Sequence, residues 1–152
     1  MTWNTLIVVA CIFLNLNASL TSLDSIRSNF KKVVEDKDLC KKMIDKLSEN
    51  YVNLPIRQAY LGGYQTIWAN HTFSPISKLK TFKTGKKNIE LAIEKAPSNA
   101  EIRFIRLSIQ KNTPAFLGYQ TNIKEDSDFI KKNKHQITSM TLLKDIEAIL
   151  NR

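Results

Sequence analysis

Tyr60, Tyr64, Trp68 and His71 recur at steps of four, four and three, which places their rings on one face of a helix. Such a face could line a groove with a titratable nitrogen at its rim. Core aromatics with a histidine at the wet end have the same spacing. Arg103, Arg106 and Gln110 form a polar stripe opposite Ile102, Ile105 and Ile109. Two guanidinium groups one turn apart suit a carboxylate, supplied by a ligand or by internal acids such as Glu94 or Asp126. Lys80, Lys83 and Lys87 share a third face. It suits phosphate, polysaccharide or anionic lipid, or is simply a solvated lysine face.

The residues that catalysis would need are poorly placed. His71 and His135 lie 64 positions apart, and no His-x-x-x-His or Cys-x-x-Cys spacing occurs. Gly62-Gly63 falls inside a helical pattern, so it makes no phosphate-binding loop. No Gly-x-Ser-x-Gly elbow is present. Glu125-Asp126-Ser127-Asp128 lacks the glycine and terminal Glu of a calcium loop and reads as charge at a helix N-terminus. Cys40, beside Leu39 and one turn before Met43 and Ile44, reads as a buried apolar residue. The expectation is a protein without catalysis, cofactor or metal. Its candidate binding residues are Tyr64, Trp68, His71, Lys80, Lys83, Lys87, Arg103 and Arg106.

Composition bounds what must position these groups. The chain has 152 residues, 43% of them hydrophobic, with 23 Lys and Arg against 14 Asp and Glu, a net charge of +9. That length allows one globular domain. Lys, Asn and Ile supply 48 residues, a bias that AT-rich coding would produce whatever the partner. The charge is nonetheless uneven. Between Glu49 and Glu90 there is no acid, while Arg57, Lys78, Lys80, Lys83, Lys86 and Lys87 give +6. Lysines without interleaved exposed aromatics argue against a nucleic-acid partner.

Leu6 to Leu14 is a nine-residue apolar run, too short to span a bilayer and of the length of a secretory signal core. Ala18 offers a cleavage point. Residues 1–18 are therefore expected to be a cleaved signal, and 19–152 a single exported domain, periplasmic or extracellular, with no membrane span after processing. Met1 to Thr5 carries no Lys or Arg. Val8-Val9-Ala10-Cys11 resembles a lipoprotein box, but apolar residues continue beyond Cys11.

The mature chain has helical spacing nearly throughout. Leu23, Ile26, Phe30 and Val33 follow a Thr21-x-x-Asp24 start. Asp36 or Asp38 could open a second helix with Leu39, Met43, Ile44 and Leu47. Asn50 to Leu54 is a connector, and Pro55 suits a first helical position. Ser74-Pro75 opens a long helix with Leu79, Phe82, Ile89, Ile93 and Ala96 inward, ended by Pro97. Ser98 with Glu101 forms a capping box. Thr113-Pro114 and Asn122-x-x-Glu125 are further starts, and Met140, Leu143, Ile146 and Ile149 mark the last helix. Ile105 to Ile109 also alternates as a strand would, but it has no pairing partner. The sequence predicts an all-α domain of six or seven helices.

Gly85, Ala92 and Pro97, spaced seven and five apart, let two antiparallel helices approach closely and then stop the second. With Ser98–Glu101 following, they resemble the second helix of a tetratricopeptide repeat running into the next, and Tyr60-Leu61-Gly62-Gly63-Tyr64 resembles that repeat's first helix. An ordinary helical bundle with a well-capped turn accounts for the same residues. From Ala59 to Ile130 the chain also resembles a family of short exported proteins of Bacteroidetes-type bacteria. The shared landmarks are Ala59-Tyr60-Leu61-Gly62, Phe73-Ser74-Pro75-Ile76-Ser77-Lys78, Glu101-Ile102-Arg103-Phe104 and Phe116-Leu117-Gly118-Tyr119. That resemblance implies origin and fold and carries no catalytic residue. The expected role is an exported interaction or scaffold protein whose partner is another protein. The alternative is a binder of an anionic polymer or membrane surface.

Overall fold

Pro55 and Pro75 each occupy a first helical turn, where a missing N–H costs nothing. They open the two helices at the middle of the fold. The structure is a computed structural model that describes residues 23–49 and 54–152. The expectations for the apolar run Leu6–Leu14, for Cys11, Ala18 and Thr21, and for most of the connector lie outside the described residues. Seven helices follow in order. They are α1 (23–29), α2 (Lys37–Glu49), α3 (Pro55–Trp68), α4 (Pro75–Lys95), α5 (Ala100–Asn112), α6 (Ile123–Asn133) and α7 (Met140–Leu150). Short 3-10 turns at Lys32–Val34, Ala69–His71, Ala115–Leu117 and Lys134–Gln136 join them, and no strand occurs among the described residues. The all-α expectation holds, and Ile105 to Ile109 is helical.

Helices α3 and α5 are the central pair. Residues 58–64 of α3 are all buried, as are Ile102, Phe104, Ile105, Arg106 and Leu107 of α5. A helix packed on most of its circumference needs neighbours on several sides. For α3 these are α2, α4 and α5; for α5 they are α3, α4, α6 and α7. From the end of α1, Phe30 sets its ring edge-on to Tyr60 and Tyr64, with centroids 5.4 and 5.7 Å away. The α3 and α4 backbones run antiparallel and touch at Gly62 and Gly85. A Cβ on Gly62 would lie 2.6 Å from the Gly85 carbonyl oxygen, so glycine is required there by approach.

Caps fix the helix starts. The Asp36 carboxylate accepts from Leu39 N–H at 2.8 Å and so opens α2. Ser74 and Ser139 do the same for α4 and α7, accepting from Ser77 and Leu142 N–H. Four expectations are corrected. The α5 cap is Asn99, which accepts from the Glu101 and Ile102 N–H groups at 3.0 Å, so Ser98 lies one residue outside. Asn caps as well as Ser does, and the shift frees Glu101 for another role. Thr113 ends α5 rather than opening a helix, its hydroxyl donating to the Ile109 carbonyl at 2.7 Å. Leu79 is 42% exposed, because the start of α4 extends past the core. Met140 is 68% exposed, and Leu142 takes the inward place beside Ile146 and Ile149.

Candidate functional site

The structure separates the three predicted groups and uses two of them internally. Tyr64 has no exposed surface, and its hydroxyl donates to the Ile26 carbonyl at 2.6 Å. Burial raises the pKa of that phenol well above its ordinary value. The reading of Tyr64 as a groove residue is thereby corrected to a core aromatic. Trp68 is half-buried at the end of α3. His71 sits in the 3-10 turn beyond it, with Nε2 2.8 Å from the Val33 carbonyl oxygen. The Trp68 and His71 rings lie 5.8 Å apart, so this histidine braces the α3–α4 corner against the turn after α1.

Arg103 and Arg106 do meet carboxylates, but those of the chain itself. Arg106 is 4% exposed and grips Asp126 with two parallel bonds, from Nε at 2.7 Å and Nη2 at 2.8 Å. Its Nη1 donates to Glu90 at 3.0 Å. Arg103 donates through Nη1 to Asp126 at 2.9 Å and to Glu125 at 2.8 Å, and its guanidinium lies 4.3 Å from the centre of the Phe129 ring. Glu90, not Glu94, is the α4 partner. Burial disfavours the charge on Arg106, but the bonds and charges of Asp126 and Glu90 together outweigh it, so its pKa is raised. Asp126, at the first turn of α6, has no exposed surface, so its charge serves this network as well as the helix end. Tyr119 closes the set by donating to Glu90 at 2.6 Å. Gln110, next on the stripe, is fully buried, and its carbonyl oxygen has no hydrogen-bond partner among the described residues.

A cluster without a sequence expectation lies at the first turn of α5. Arg27 of α1 bonds Glu101 through Nε at 2.7 Å and Nη2 at 2.8 Å, and Tyr60 donates to the same carboxylate at 2.8 Å. The bond to Glu101 raises the Arg27 pKa against the pull of partial burial. Arg27 and Glu101 line a cleft of about 410 Å³ walled by the α4–α5 turn, residues 96–99, and by Gln136 to Ser139. The signal for it in the sequence was slight: the Asp24–Arg27 spacing and a Glu two places after a strong cap. Cys40 is fully buried, and burial pushes its thiol pKa up to about 12. Among the described residues no group of three or more His, Cys, Asp or Glu is arranged to hold a metal ion.

The lysine face is the group left open. Lys78, Lys80, Lys83 and Lys87 are exposed, and none makes an ion pair among the described residues. Lys86 instead lies over the Tyr119 ring, 4.7 Å from its centre. Beside this face stand Phe73, 95% exposed, and Ile76, 82% exposed, which the sequence offers as landmarks of a resemblance but not as candidate binding residues. Phe73 precedes the Ser74 cap, where a staple to the fourth helical residue is the usual use. That residue is Lys78, so the staple position offers Phe73 no apolar side chain. Compared with known proteins, the chain matches no family model, no curated protein and no solved structure.

Proposed function

We propose that this chain is an exported, all-helical interaction protein that works through its outer surface. The observation that carries the reading is where the reactive groups are spent. Arg27, Arg103, Arg106, Glu101, Asp126, Tyr60 and Tyr64 all bond to one another or to backbone. The side chains best suited to hold or transform a small molecule thus already serve the bundle. Export is supported by the Leu6–Leu14 run and Ala18. The close α3–α4 crossing at Gly62 and Gly85 supports the likeness to a tetratricopeptide hairpin, a unit that serves protein binding.

A second reading is favoured by Lys78, Lys80, Lys83 and Lys87, which make no ion pair among the described residues and suit an anionic polymer or a membrane surface. Among the described residues no helix is long and apolar enough to cross a membrane, so contact through α4 would be peripheral. The test is capture from a cell-envelope fraction with the full chain as bait, at low and high salt. Recovery of a defined protein that persists at high salt supports the scaffold. Retention on a heparin-like matrix that falls steeply with salt supports the polyanion reading. Neither behaviour, in a correctly folded bait, overturns both.

A further inference from the structure

Residues 73–80 are eight consecutive exposed positions, and six of them belong to α4. The cause lies in helix lengths. Ten α4 residues precede Gly85, whereas six α3 residues follow Gly62. At about 1.5 Å per residue, the start of α4 runs about 6 Å beyond α3 proper, which continues at this end as the 3-10 turn Ala69–His71. The projecting start carries Phe73 and Ile76 at its tip, with Leu79 a turn further in, 42% exposed. Beneath Phe73 the structure places the Lys37 ammonium, 5.7 Å from the ring centre.

Helix phase aligns this apolar tip with the charge. Ile76, Lys80, Lys83 and Lys87 follow at steps of four, three and four, so they form one stripe on the side away from the buried Gly85 and Ile89. Acids are sparse along the stripe: α4 has none before Glu90, Glu90 and Glu94 take up its phase at the far end, and Glu35, Asp36 and Asp38 flank Lys37 beneath Phe73. An exposed tip with only two nearly bare apolar side chains offers a protein partner little to grip. It suits a medium that closes around any shape. Bulky apolar groups at headgroup depth with lysines reaching the phosphates are the pattern of peripheral membrane binding.

The geometry points to a docking surface for an anionic lipid bilayer, made by Phe73 and Ile76 entering the headgroup region and the Lys80–Lys83–Lys87 stripe lying along the phosphates. This rests on the reading of the chain as a protein that works through its outer surface, and it names the partner of the α4 face.

The test is co-sedimentation of the full chain with phosphatidylcholine vesicles, neutral or containing roughly a third phosphatidylglycerol. Every variant keeps residues 1–22, so any contribution from that segment is common to all. The unaltered chain should prefer the anionic vesicles and lose that preference as salt rises. K80Q/K83Q/K87Q should weaken anionic binding roughly fivefold per lysine, about a hundredfold together at low salt. The corresponding Lys→Arg chain should retain it. F73S/I76S should weaken it about tenfold or more while leaving the salt dependence nearly unchanged. Equal binding to both vesicle types, or indifference to either variant, overturns the proposal. So does equal retention by polyglutamate that F73S/I76S leaves intact, which would assign the stripe to an acidic macromolecule. Lost vesicle binding with salt-resistant protein capture preserved would overturn the bilayer assignment alone.

Discussion

Gly62 and Gly85 face each other across the α3–α4 contact so closely that a Cβ on Gly85 would sit 2.5 Å from the Gly62 carbonyl oxygen. The obstacle is backbone on a central helix and cannot rotate away. In an open helix Gly→Ala would stabilise by up to ~1 kcal/mol. Here Gly62→Ala and Gly85→Ala should each destabilise by about 1–3 kcal/mol, because the helices must part. Urea denaturation of each variant checks this, and a gain in stability would contradict the packing described.

The Arg106–Asp126 pair should behave as a unit. Replacing Arg106 with Met leaves buried Asp126 with Arg103 alone, and replacing Asp126 with Leu leaves Arg106 with Glu90 alone, so each should cost about 3 kcal/mol. The double replacement should cost far less than the sum, with a coupling of about 2 kcal/mol. A double-mutant cycle measures it, and additive losses would show that the two side chains do not sense each other.

Gln110 presents the opposite case. Its buried carbonyl oxygen lacks a partner, and its amide donates only a long 3.4 Å bond to Asn122. Gln110→Met keeps the shape and removes the unmet acceptor, so it should be neutral or stabilise by up to about 1 kcal/mol. A loss above about 1 kcal/mol by thermal or urea denaturation would mean the amide is better satisfied than its geometry indicates.

Tyr60, Tyr64 and Tyr119 predict how the fold responds to alkali. Burial is the first cause of the raised pKa of each, and Glu101 or Glu90 adds to it for Tyr60 and Tyr119. A phenol whose pKa is raised in the folded state holds its proton longer there than in the unfolded chain. Its contribution to stability is complete below pH 10, the ordinary tyrosine value, and is lost as pH rises beyond it. Each such tyrosine should lower stability by about 1.4 kcal/mol per pH unit above that point. Tyr119→Phe should make the decline shallower by roughly one tyrosine's share. Tyrosinate absorbance followed with unfolding tests this, and ionisation of all three at pH 10 without unfolding would refute it.

The lysine face should be dispensable for folding. Lys80, Lys83 and Lys87 are exposed and make no ion pair among the described residues, so K80Q/K83Q/K87Q should change stability by less than ~0.5 kcal/mol per site. Relief of like-charge repulsion at steps of three and four acts in its favour. A large loss would place these side chains in contacts the structure does not contain.

How far these features could be read in advance depends on their range in the chain. The spacing of Ile26, Phe30, Tyr60 and Tyr64 reveals helices because periodicity is local. The exposure of Lys80, Lys83 and Lys87 follows from the same phase. Gly85 and Ala92 announced a close helix approach, although the partner glycine, Gly62, is set by register between two helices. Leu79 was misjudged because its inward phase is correct, but the core ends before its turn. The choice of Asn99 over Ser98 turned on Glu101 meeting Arg27, 74 positions away, and no local pattern contains that encounter. Arg106 showed its need for a carboxylate, while the identity of Glu90 waited on how α4 lies against α5.

The 21 residues of α4 also act as a spacer. At about 1.5 Å per residue they separate the Phe73–Ile76 tip from the Arg27–Glu101 cleft by roughly 30 Å. The cleft is walled by the turn that follows the far end of the same helix. A surface held at the tip would lie well outside the reach of a ligand held at the cleft, so neither would crowd the other. Because α4 is clamped to α3 along its middle at Gly85, the two ends move as parts of one body. Whatever fixes the tip therefore fixes the direction in which the cleft opens.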